Sequence, residues 1–293
     1  MSANLVKKTP APKITKHTSL KGKTLIISGA SRGIGLAIAK RAAQDGANIV
    51  ILAKTTTPHP KLPGTIYTAA KEIEALGGQA LPLKCDIRYE DQVQACIDKA
   101  VKRFGGIDIV INNASAISLT GTEETAMKKY DLMNTVNTRG TFMLTKLCIP
   151  HLKKSSNPHV IMLSPPLFMS EQWFKSHPAY TIAKYGMSMC VLGFAGEFRD
   201  LNISVNALWP QTAVATSAIK YYLGGSPLMS RSRKDTIVSD TAHLLMTSKS
   251  GEVTGGFFID EDLLKSQGVT DFQKYKFDPS MPDEEMLIDY FIE

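Results

Sequence analysis

Seven short apolar segments alternate with helix-like segments along most of this chain, and the alternation is the feature that most constrains its fold. The strand-like segments are residues 23–28, 48–53, 79–85, 107–111, 159–163, 203–208 and 257–259. Apolar strands that alternate with helices form parallel βαβ units, whose sheet is covered by helices on both faces. Because such crossovers are right-handed, we predict an α/β fold with a doubly wound parallel sheet of about seven strands. Ligands then bind at the carboxyl ends of the strands.

The length and the distribution of charge indicate a single domain with two tails. The 293 residues are 43% apolar, enough for a large core, and the net charge is +7. Residues 1–28 hold six lysines and no acid, whereas residues 271–293 hold seven acids and two lysines. We therefore predict a basic flexible tail (1–19), a domain (20–262) that includes a mobile substrate loop (210–234), and an acidic C-terminal extension (263–293).

Several classes of function are disfavoured by what the sequence lacks. It has no zinc-ligand spacing, recognition-helix pattern or aromatic-basic strand pattern, so we expect no metal and no nucleic-acid partner. The sequence contains no run of about eighteen apolar residues, so we predict no membrane span. Four scattered cysteines without a Cys-x-x-Cys motif are typical of reduced thiols in an intracellular protein. We expect a cytoplasmic protein. A mitochondrial location is the alternative, because the N-terminus is basic, although Pro10 and Pro12 interrupt any presequence helix there.

A glycine-rich turn, Gly29-Ala-Ser-Arg-Gly33-Ile-Gly35, joins the first strand to the first helix. This context favours a dinucleotide site of the Rossmann type. Small residues let the backbone approach a pyrophosphate, and the helix N-terminus supplies free N–H groups and a positive dipole. The alternative is a tight strand–helix turn without a ligand. The cofactor-binding residues predicted in this turn are Gly29, Ser31, Arg32, Gly33, Ile34 and Gly35.

Tyr180 and Lys184 lie four residues apart at the start of an apolar, helix-periodic segment. On a helix this spacing places the two side chains on one face, one turn apart. An ammonium beside a phenol favours the phenolate, so we expect the pKa of Tyr180 to fall from about 10 toward neutral pH. Such a phenol exchanges a proton with a carbonyl or an alcohol. Tyr67 and Lys71 have the same spacing, so the motif alone does not identify the site.

The order of these motifs resembles that of the short-chain dehydrogenase/reductase superfamily over roughly residues 20–260. Its glycine turn has the Gly-x-x-x-Gly-x-Gly spacing, and the segment 112–115 (Asn-Asn-Ala-Ser) follows the fourth strand, where the family has Asn-Asn-Ala-Gly. Asn137 matches the helix asparagine of the family's catalytic tetrad. Tyr180 follows the fifth strand, as the family's active tyrosine does. Tyr67 lies between the second and third strands, so we expect it to belong to a surface helix pair.

The resemblance implies roles for individual residues. Tyr180 would exchange the proton, Lys184 would lower its pKa and hold the nicotinamide ribose, and Asn137 would hold a water that relays protons. The remaining contacts implied for the cofactor are Asp86 and Ile87 at the adenine, Asn113 and Ala114 at the ribose, and Pro210 and Thr212 near the nicotinamide. Gln211 stands where the family usually has glycine. Family members commonly form homodimers or homotetramers through the long helix (124–153) and the helix that bears Tyr180.

The end of the second strand indicates which nicotinamide cofactor to expect. An NAD enzyme usually offers a carboxylate there for the ribose hydroxyls, whereas an NADP enzyme offers a cation for the 2′-phosphate. The strand ends in Ala53-Lys54, with no acid before Glu72, and Arg32 adds a second cation. We therefore predict NADP(H), with NAD(H) as the alternative if Lys54 is only a solvated lysine.

One member of the family's catalytic set is displaced. The family has a serine thirteen residues before the tyrosine, but Leu167 stands there. Alignment on the fifth strand instead puts Pro165 at the serine site and Ser164 one residue early, and Ser170 is a second candidate. The alternative for Ser164 is a hydrogen bond to local backbone. We also expect a possible substrate wall from Trp173, Phe174 and His177, although a histidine beside proline is more often structural.

The sequence thus predicts an NADP(H)-dependent oxidoreductase that interconverts a carbonyl and a primary or secondary alcohol of a small molecule. The alternative is a catalytically weak nucleotide-binding or scaffold protein on the same fold, suggested by Pro165 and Gln211. Four further phrases, within residues 57–70, 112–118, 164–167 and 206–210, resemble one branch of the superfamily. Animal members of that branch continue into a sterol-carrier domain, and we expect this chain, which ends at Glu293, to lack it.

Overall fold

A seven-stranded parallel sheet forms the centre of the protein. The structure is a computed structural model that describes residues 6–15, 17–59, 62–217, 219–223 and 225–293. The strands are β1 (Thr24–Ser28), β2 (Asn48–Ala53), β3 (Gln79–Lys84), β4 (Ile109–Asn112), β5 (His159–Met162), β6 (Ser204–Trp209) and β7 (Phe257–Ile259). Their order across the sheet is β3-β2-β1-β4-β5-β6-β7. The predicted fold class, a doubly wound α/β domain, is confirmed.

Helices cover both faces of the sheet. They are α1 (Gly33–Ala43), α2 (Ile66–Glu74), α3 (Glu90–Phe104), α4 (Met127–Met133), α5 (Gly140–Leu152), α6 (Pro178–Glu197), α7 (Ser226–Ser230), α8 (Thr236–Thr247) and α9 (Asp260–Ser266). The long helix predicted for residues 124–153 begins at Met127, and a π-helical stretch, Asn134–Arg139, separates α4 from α5. No helix within the described ranges is long and apolar enough to cross a membrane.

The inner strands are mainly apolar because both of their faces are buried, whereas the edge strand β3 is half exposed. In β1, Ile26 belongs to the core layer on the side of α3, α5 and α6, whereas Leu25 and Ile27 belong to the layer on the side of α1 and α8. Successive side chains of a strand point to opposite faces, so a strand covered on both sides has no polar alternation. This explains why the strands were recognisable as continuous apolar segments.

The topology creates a crevice above β1. This strand pairs with β2 on one side and β4 on the other, so the chain winds outward in opposite directions from this point. The loops after β1 and β4 therefore leave the sheet on opposite faces, which opens the crevice in which ligands of such sheets bind. The glycine turn follows β1 and the segment 112–115 begins in the last residue of β4, so both lie at this crevice.

The described residues of the predicted N-terminal tail make hydrogen bonds to the domain. Within the predicted N-terminal tail, the strand Val6–Lys7 pairs with Leu167–Phe168, and the Thr18 N–H donates to the Thr247 carbonyl at 2.6 Å. Residues 1–5 and 16 of that tail lie outside the described residues. The division into tail, domain and extension stays a prediction, as does the mobility of the loop 210–234. That loop contains α7 and a short π-helical turn, Ile219–Leu223; residues 218 and 224 lie outside the described part of the chain.

Candidate active site

The glycine turn packs closely against Asn113 and Ala114, which follow β4. Gly29 has φ +72°, a conformation that residues with a side chain rarely adopt. A Cβ placed on Gly35 would lie 2.5 Å from Nδ2 of Asn113 and 2.8 Å from the carbonyl oxygen of Gly29. The absence of both side chains therefore lets the start of α1 approach the neighbouring loop closely. The turn leaves the N-terminus of α1 at the crevice, as the dinucleotide interpretation requires.

Asn113 and Ala114 fasten the two central strands together. The Asn113 side chain donates to the carbonyl oxygens of Ser28 (2.9 Å) and Gly29 (3.2 Å). The backbone N–H groups of Asn113 and Ala114 both donate to Oγ of Ser28, each at 3.1 Å. Asn113 and Ala114, which were predicted to line the cofactor ribose, therefore also fix the geometry of the crevice.

Asn137 clamps the loop that follows β4. Its Oδ1 accepts from the Ala116 N–H at 2.7 Å, and its Nδ2 donates to the Ala116 carbonyl at 3.0 Å. The side chain is fully buried and lies within the π-helical stretch between α4 and α5. Single π turns inside helices are frequent at functional sites, because they re-aim one residue out of the regular ladder. In this structure the amide therefore positions the loop, and its water-relay role stays a prediction.

Tyr180 and Lys184 lie at the start of α6, one turn apart, with 6% and 3% of their surfaces exposed. The Lys184 ammonium donates to the Leu163 carbonyl at the end of β5 (2.6 Å) and lies 4.8 Å from the centre of the Trp209 ring. By contrast, Tyr67 on α2 is 52% exposed and belongs to a surface pair, as expected. The position along the fold, and not the spacing, distinguishes the two pairs.

Burial changes the protonation behaviour expected of this pair. It lowers the pKa of Lys184 to about 7, and the carboxylate of Asp289 opposes that shift. Burial, aided by the negative charge of Asp289, raises the pKa of Tyr180 well above its ordinary value. This corrects the expectation that the tyrosine pKa falls. The cost of removing a phenolate from water outweighs the attraction of an ammonium that is itself destabilised by burial.

A cavity of about 640 Å³ opens beside the pair. Its walls come from the glycine turn, the loop after β4, the start of α6, the loop 210–234 and the C-terminal segment. Its described lining residues include Ile34, Asn113, Ser115, Trp173, Tyr180, Lys184, Trp209, Pro210, Thr216, Leu287, Ile288, Asp289 and Tyr290. The cavity therefore joins the predicted nucleotide turn to the predicted proton donor in one continuous space.

The contribution of the C-terminal segment was not predicted from the sequence. The Ala213 N–H donates to the Leu287 carbonyl at 2.8 Å, and the Asp289 N–H donates to the Gln211 carbonyl at 3.1 Å. The segment thus pairs with the chain just after β6. A signal for docking was present in the sequence, since the segment 286–292 is almost wholly apolar or aromatic within an acidic tail. Nothing in that pattern indicated where it would dock.

Phe291 anchors this segment. Its ring is fully buried, and its centre lies 5.7 Å from that of Trp173, 6.2 Å from Tyr180, 5.4 Å from Tyr185 and 6.0 Å from Trp209. Aromatic rings at these separations add to the hydrophobic gain of burial. The start of α6, the end of β6 and the C-terminal segment therefore share one aromatic cluster beside the cavity.

The cation predicted to select the cofactor lies at the end of β2. The Lys54 side chain is 60% exposed, and its ammonium lies 3.7 Å from a carboxylate oxygen of Asp86. Asp86 also accepts from the Arg88 guanidinium at 2.6 Å, and this hydrogen bond lowers the pKa of the carboxyl group. Arg32 in the glycine turn donates to the Gly64 carbonyl at 2.8 Å. The carboxylate of Asp86 is thus balanced by two cations, and Lys54 keeps access to solvent.

The structure does not bring the displaced serine into the cavity. The Ser164 hydroxyl is fully buried, has no hydrogen-bond partner among the described residues, and does not line the cavity with Tyr180. The local backbone hydrogen bond that was the alternative for Ser164 is not formed, and its catalytic role stays a prediction. Ser170 also lies outside the cavity wall, whereas Ser115, which was not among the serine candidates, lies on it.

The other predicted positions divide between the cavity and its surroundings. Trp173 lines the cavity, whereas Phe174 packs edge-on against Tyr185 and His177 lies behind Tyr180, with 6.1 Å between ring centres. The predicted cofactor residues that are buried and do not line the cavity are Ser31, Gly35, Ile87 and Thr212. Of the three residues expected to form a substrate wall, Trp173 is therefore the one that lines the cavity.

Replacement of Phe291 tests whether the C-terminal segment is part of the folded domain. Phe291→Ala should lower the free energy of unfolding by about 3–5 kcal/mol, because a large aromatic side chain is lost from a fully packed cluster. Phe277→Ala is the control, since that ring is 45% exposed in the same region of the chain. Urea unfolding followed by tryptophan fluorescence measures both. Equal, small effects of the two substitutions would contradict the docking of the segment.

Comparisons with known proteins identify the family of this chain. The family model described as short chain dehydrogenase matches residues 23–222. Hydroxysteroid dehydrogenase-like protein 2 of Danio rerio is 58% identical over 274 residues, and the Homo sapiens protein of that name is 56% identical. The match covers 94% of this chain in both cases, but 65% and 64% of those longer relatives.

Two solved structures share both the fold and much of the sequence. A short chain dehydrogenase from Mycobacterium thermoresistibile is 51% identical with a TM-score of 0.88, and the match covers 94% of this chain and 96% of that one. A candidate dehydrogenase from Xanthomonas campestris is 49% identical with a TM-score of 0.90, over 94% of this chain and all of that one. The chain has the glycine turn, the Asn113 loop after β4 and the buried Tyr180–Lys184 pair. Together with the matching family model and relatives, this shows that it belongs to the short-chain dehydrogenase family.

Proposed function

We propose that this protein is an NADP(H)-dependent oxidoreductase that interconverts a carbonyl and a primary or secondary alcohol, with Tyr180 as the proton donor and acceptor. The observation that carries the proposal is the cavity that joins the glycine turn to the buried pair of Tyr180 and Lys184. A phenol on the wall of such a cavity is able to protonate an oxygen of a bound carbonyl compound.

The residues of the crevice fit a nicotinamide dinucleotide. Because Gly29 and Gly35 have no side chains, there is room for a pyrophosphate at the N-terminus of α1. Asn113 and Lys184 would hold the ribose hydroxyls on the cavity side. When bound, the cofactor supplies a hydride to the substrate carbon or accepts one from it.

The preference for NADP(H) rests on charge at the end of β2. A 2′-phosphate would meet the ammonium of Lys54, which is 60% exposed, and the guanidinium of Arg32 in the adjacent turn. Solved proteins of this fold have been obtained with NADP in one case and with NAD in another, so the fold alone does not decide the preference.

The protonation state of Tyr180 favours one direction of proton transfer. Burial raises the pKa of the phenol, so the hydroxyl keeps its proton at neutral pH. A neutral phenol donates a proton to the alkoxide that develops when a carbonyl is reduced. An oxidised cofactor would add the positive charge of its nicotinamide to that of the Lys184 ammonium near Tyr180. Both charges would favour the phenolate that alcohol oxidation needs.

The cavity indicates the general nature of the substrate. Its substrate side is formed mainly by apolar and aromatic side chains, among them Trp173, Trp209, Leu287 and Tyr290. We infer a small molecule with an apolar body next to its carbonyl or alcohol group. The relatives carry the words hydroxysteroid dehydrogenase-like in their name, but no lining residue distinguishes a steroid from a fatty aldehyde or ketone.

The alternative is a nucleotide-binding protein with weak or no catalysis. The exclusion of the Ser164 hydroxyl from the cavity favours it, because the substrate oxygen then lacks the serine donor of the family. Oxidation of NADPH, followed at about 340 nm with a panel of aldehydes, ketones and steroid carbonyls, separates the two. Tight NADPH binding without turnover on any member of the panel would support the alternative.

Replacement of Tyr180 tests the assignment of the proton donor. Tyr180→Phe should lower kcat by about 10²–10⁴, the usual contribution of general acid–base catalysis, while the Kd for NADPH stays within about threefold. Tyr67→Phe, in the exposed pair on α2, is the matched control and should leave kcat unchanged. Full turnover by the Tyr180 variant would show that the proton comes from another group.

Replacement of Lys54 tests the cofactor preference. Lys54→Asp should weaken NADPH binding by roughly tenfold or more, since a phosphate would face a carboxylate, and should weaken NADH binding much less. Lys71→Asp makes the same change of charge at an exposed position on α2 and should affect neither cofactor. Titration of intrinsic fluorescence measures the four affinities. Equal losses for both cofactors in the Lys54 variant would rule out a phosphate-selecting role.

We further propose that the protein assembles as a homodimer or homotetramer through α5 and α6. Phe142 on α5 and Met189 on α6 are 49% and 56% exposed in the single chain. Multi-angle light scattering at micromolar concentration should give two or four times the mass of 32.0 kDa. A single species of monomer mass would contradict the proposal.

A further inference from the structure

The C-terminal segment places Asp289 on the wall of the cavity that Tyr180 and Lys184 also line. Asp289 lies on the cavity wall, and one of its oxygens accepts from the Tyr290 N–H at 2.6 Å. The other oxygen makes no hydrogen bond to any residue in the described ranges. Its position is fixed by the backbone, since the Asp289 N–H donates to the Gln211 carbonyl at 3.1 Å. The carboxyl group is thus held in place by main-chain pairing and faces the cavity.

The ammonium of Lys184 needs an opposite charge that its immediate neighbours do not provide. It is 3% exposed, and its hydrogen-bond partners are the Leu163 carbonyl and, at 3.6 Å, the sulfur of Met187. These partners are dipoles without net charge, and a buried cation without a counter-ion loses its proton readily. Among the described residues that line the cavity, Asp289 is the one with an acidic side chain.

We propose that Asp289 is a positioning residue of this active site, whose carboxylate keeps Lys184 protonated beside Tyr180. The inference deepens the proposed function, because a charged Lys184 is what makes the pair useful for proton transfer. Its immediate claim concerns the protonation of one side chain, which can be measured without any substrate. The C-terminal segment would then be a functional part of the site and more than a cover over it.

The charges around the pair support this assignment. Burial raises the pKa of Asp289 to about 7 and lowers that of Lys184 to about 7, and the attraction between the two opposes both shifts. The other titratable groups that face them are Tyr180 and His177 on α6 and its N-cap, and Tyr290 beside Asp289. None of these carries a negative charge at neutral pH. Loss of the Asp289 charge should therefore lower the pKa of Lys184 further, so that the amine is largely neutral at pH 7.

The titration of Lys184 in the full chain tests the proposal. Protein labelled with ¹³C-lysine shows each Cε resonance, and Lys184 is assigned by the resonance that disappears in Lys184→Met. Asp289→Asn should lower the midpoint of this resonance by about one pH unit or more, the usual effect of a nearby opposite charge. Asp289→Glu should restore most of the shift. Glu284→Gln, which removes a charge from an exposed position of the same segment, should leave the midpoint unchanged.

An unchanged Lys184 midpoint in the Asp289→Asn protein would overturn the proposal. If that variant does not fold, the reciprocal measurement decides, because coupling between two sites acts equally in both directions. In protein labelled with ¹³C-aspartate, Lys184→Met should raise the midpoint of Asp289, and no change would refute the coupling. A coupled pair in a protein that turns over no carbonyl compound would instead contradict the proposed function while leaving this inference intact.

Discussion

The burial of a lysine beside a tyrosine is the constraint on which the rest of this site depends. Lys184 and Tyr180 are almost completely removed from water, and an uncompensated charge at such a position costs several kcal/mol. The Lys184 ammonium contacts the carbonyl of Leu163 and the face of Trp209, and Asp289 lines the same cavity. The fold thus holds Tyr180 and Lys184 where burial shifts the pKa of both side chains.

The scaffold that positions this pair is built from close approaches at the sheet crevice. Asn113 bridges β1 and β4 through hydrogen bonds to Ser28 and Gly29, and the bare backbone of Gly35 lets α1 begin against it. Asn137 holds the next loop through Ala116. These contacts set one wall of the cavity, and the C-terminal segment, anchored by Phe291, sets the opposite wall. The loop contacts and the C-terminal segment therefore enclose the cavity from two sides.

The sequence predicted the elements that depend on local patterns and missed those that depend on distant packing. The strands Asn48–Ala53 and Phe257–Ile259 were predicted at their observed bounds, because strands buried on both faces are continuous apolar segments. The position of Asp289 on the cavity wall was missed, since it follows from main-chain pairing with Gln211, far away in sequence. The direction of the Tyr180 shift was also wrong, because the spacing to Lys184 does not report the depth of burial that dominates the pKa.

The most direct test of the account is a crystal structure of the full chain with NADPH bound. The account predicts that the nicotinamide enters the cavity beside Lys184 with the C-terminal segment in place. Its reactive carbon would then lie within about 3–3.5 Å of a substrate carbon whose oxygen contacts the Tyr180 hydroxyl. A nicotinamide placed away from Tyr180, or a C-terminal segment that must leave its position at Gln211 for the cofactor to bind, would contradict the assignment of this cavity as the active site.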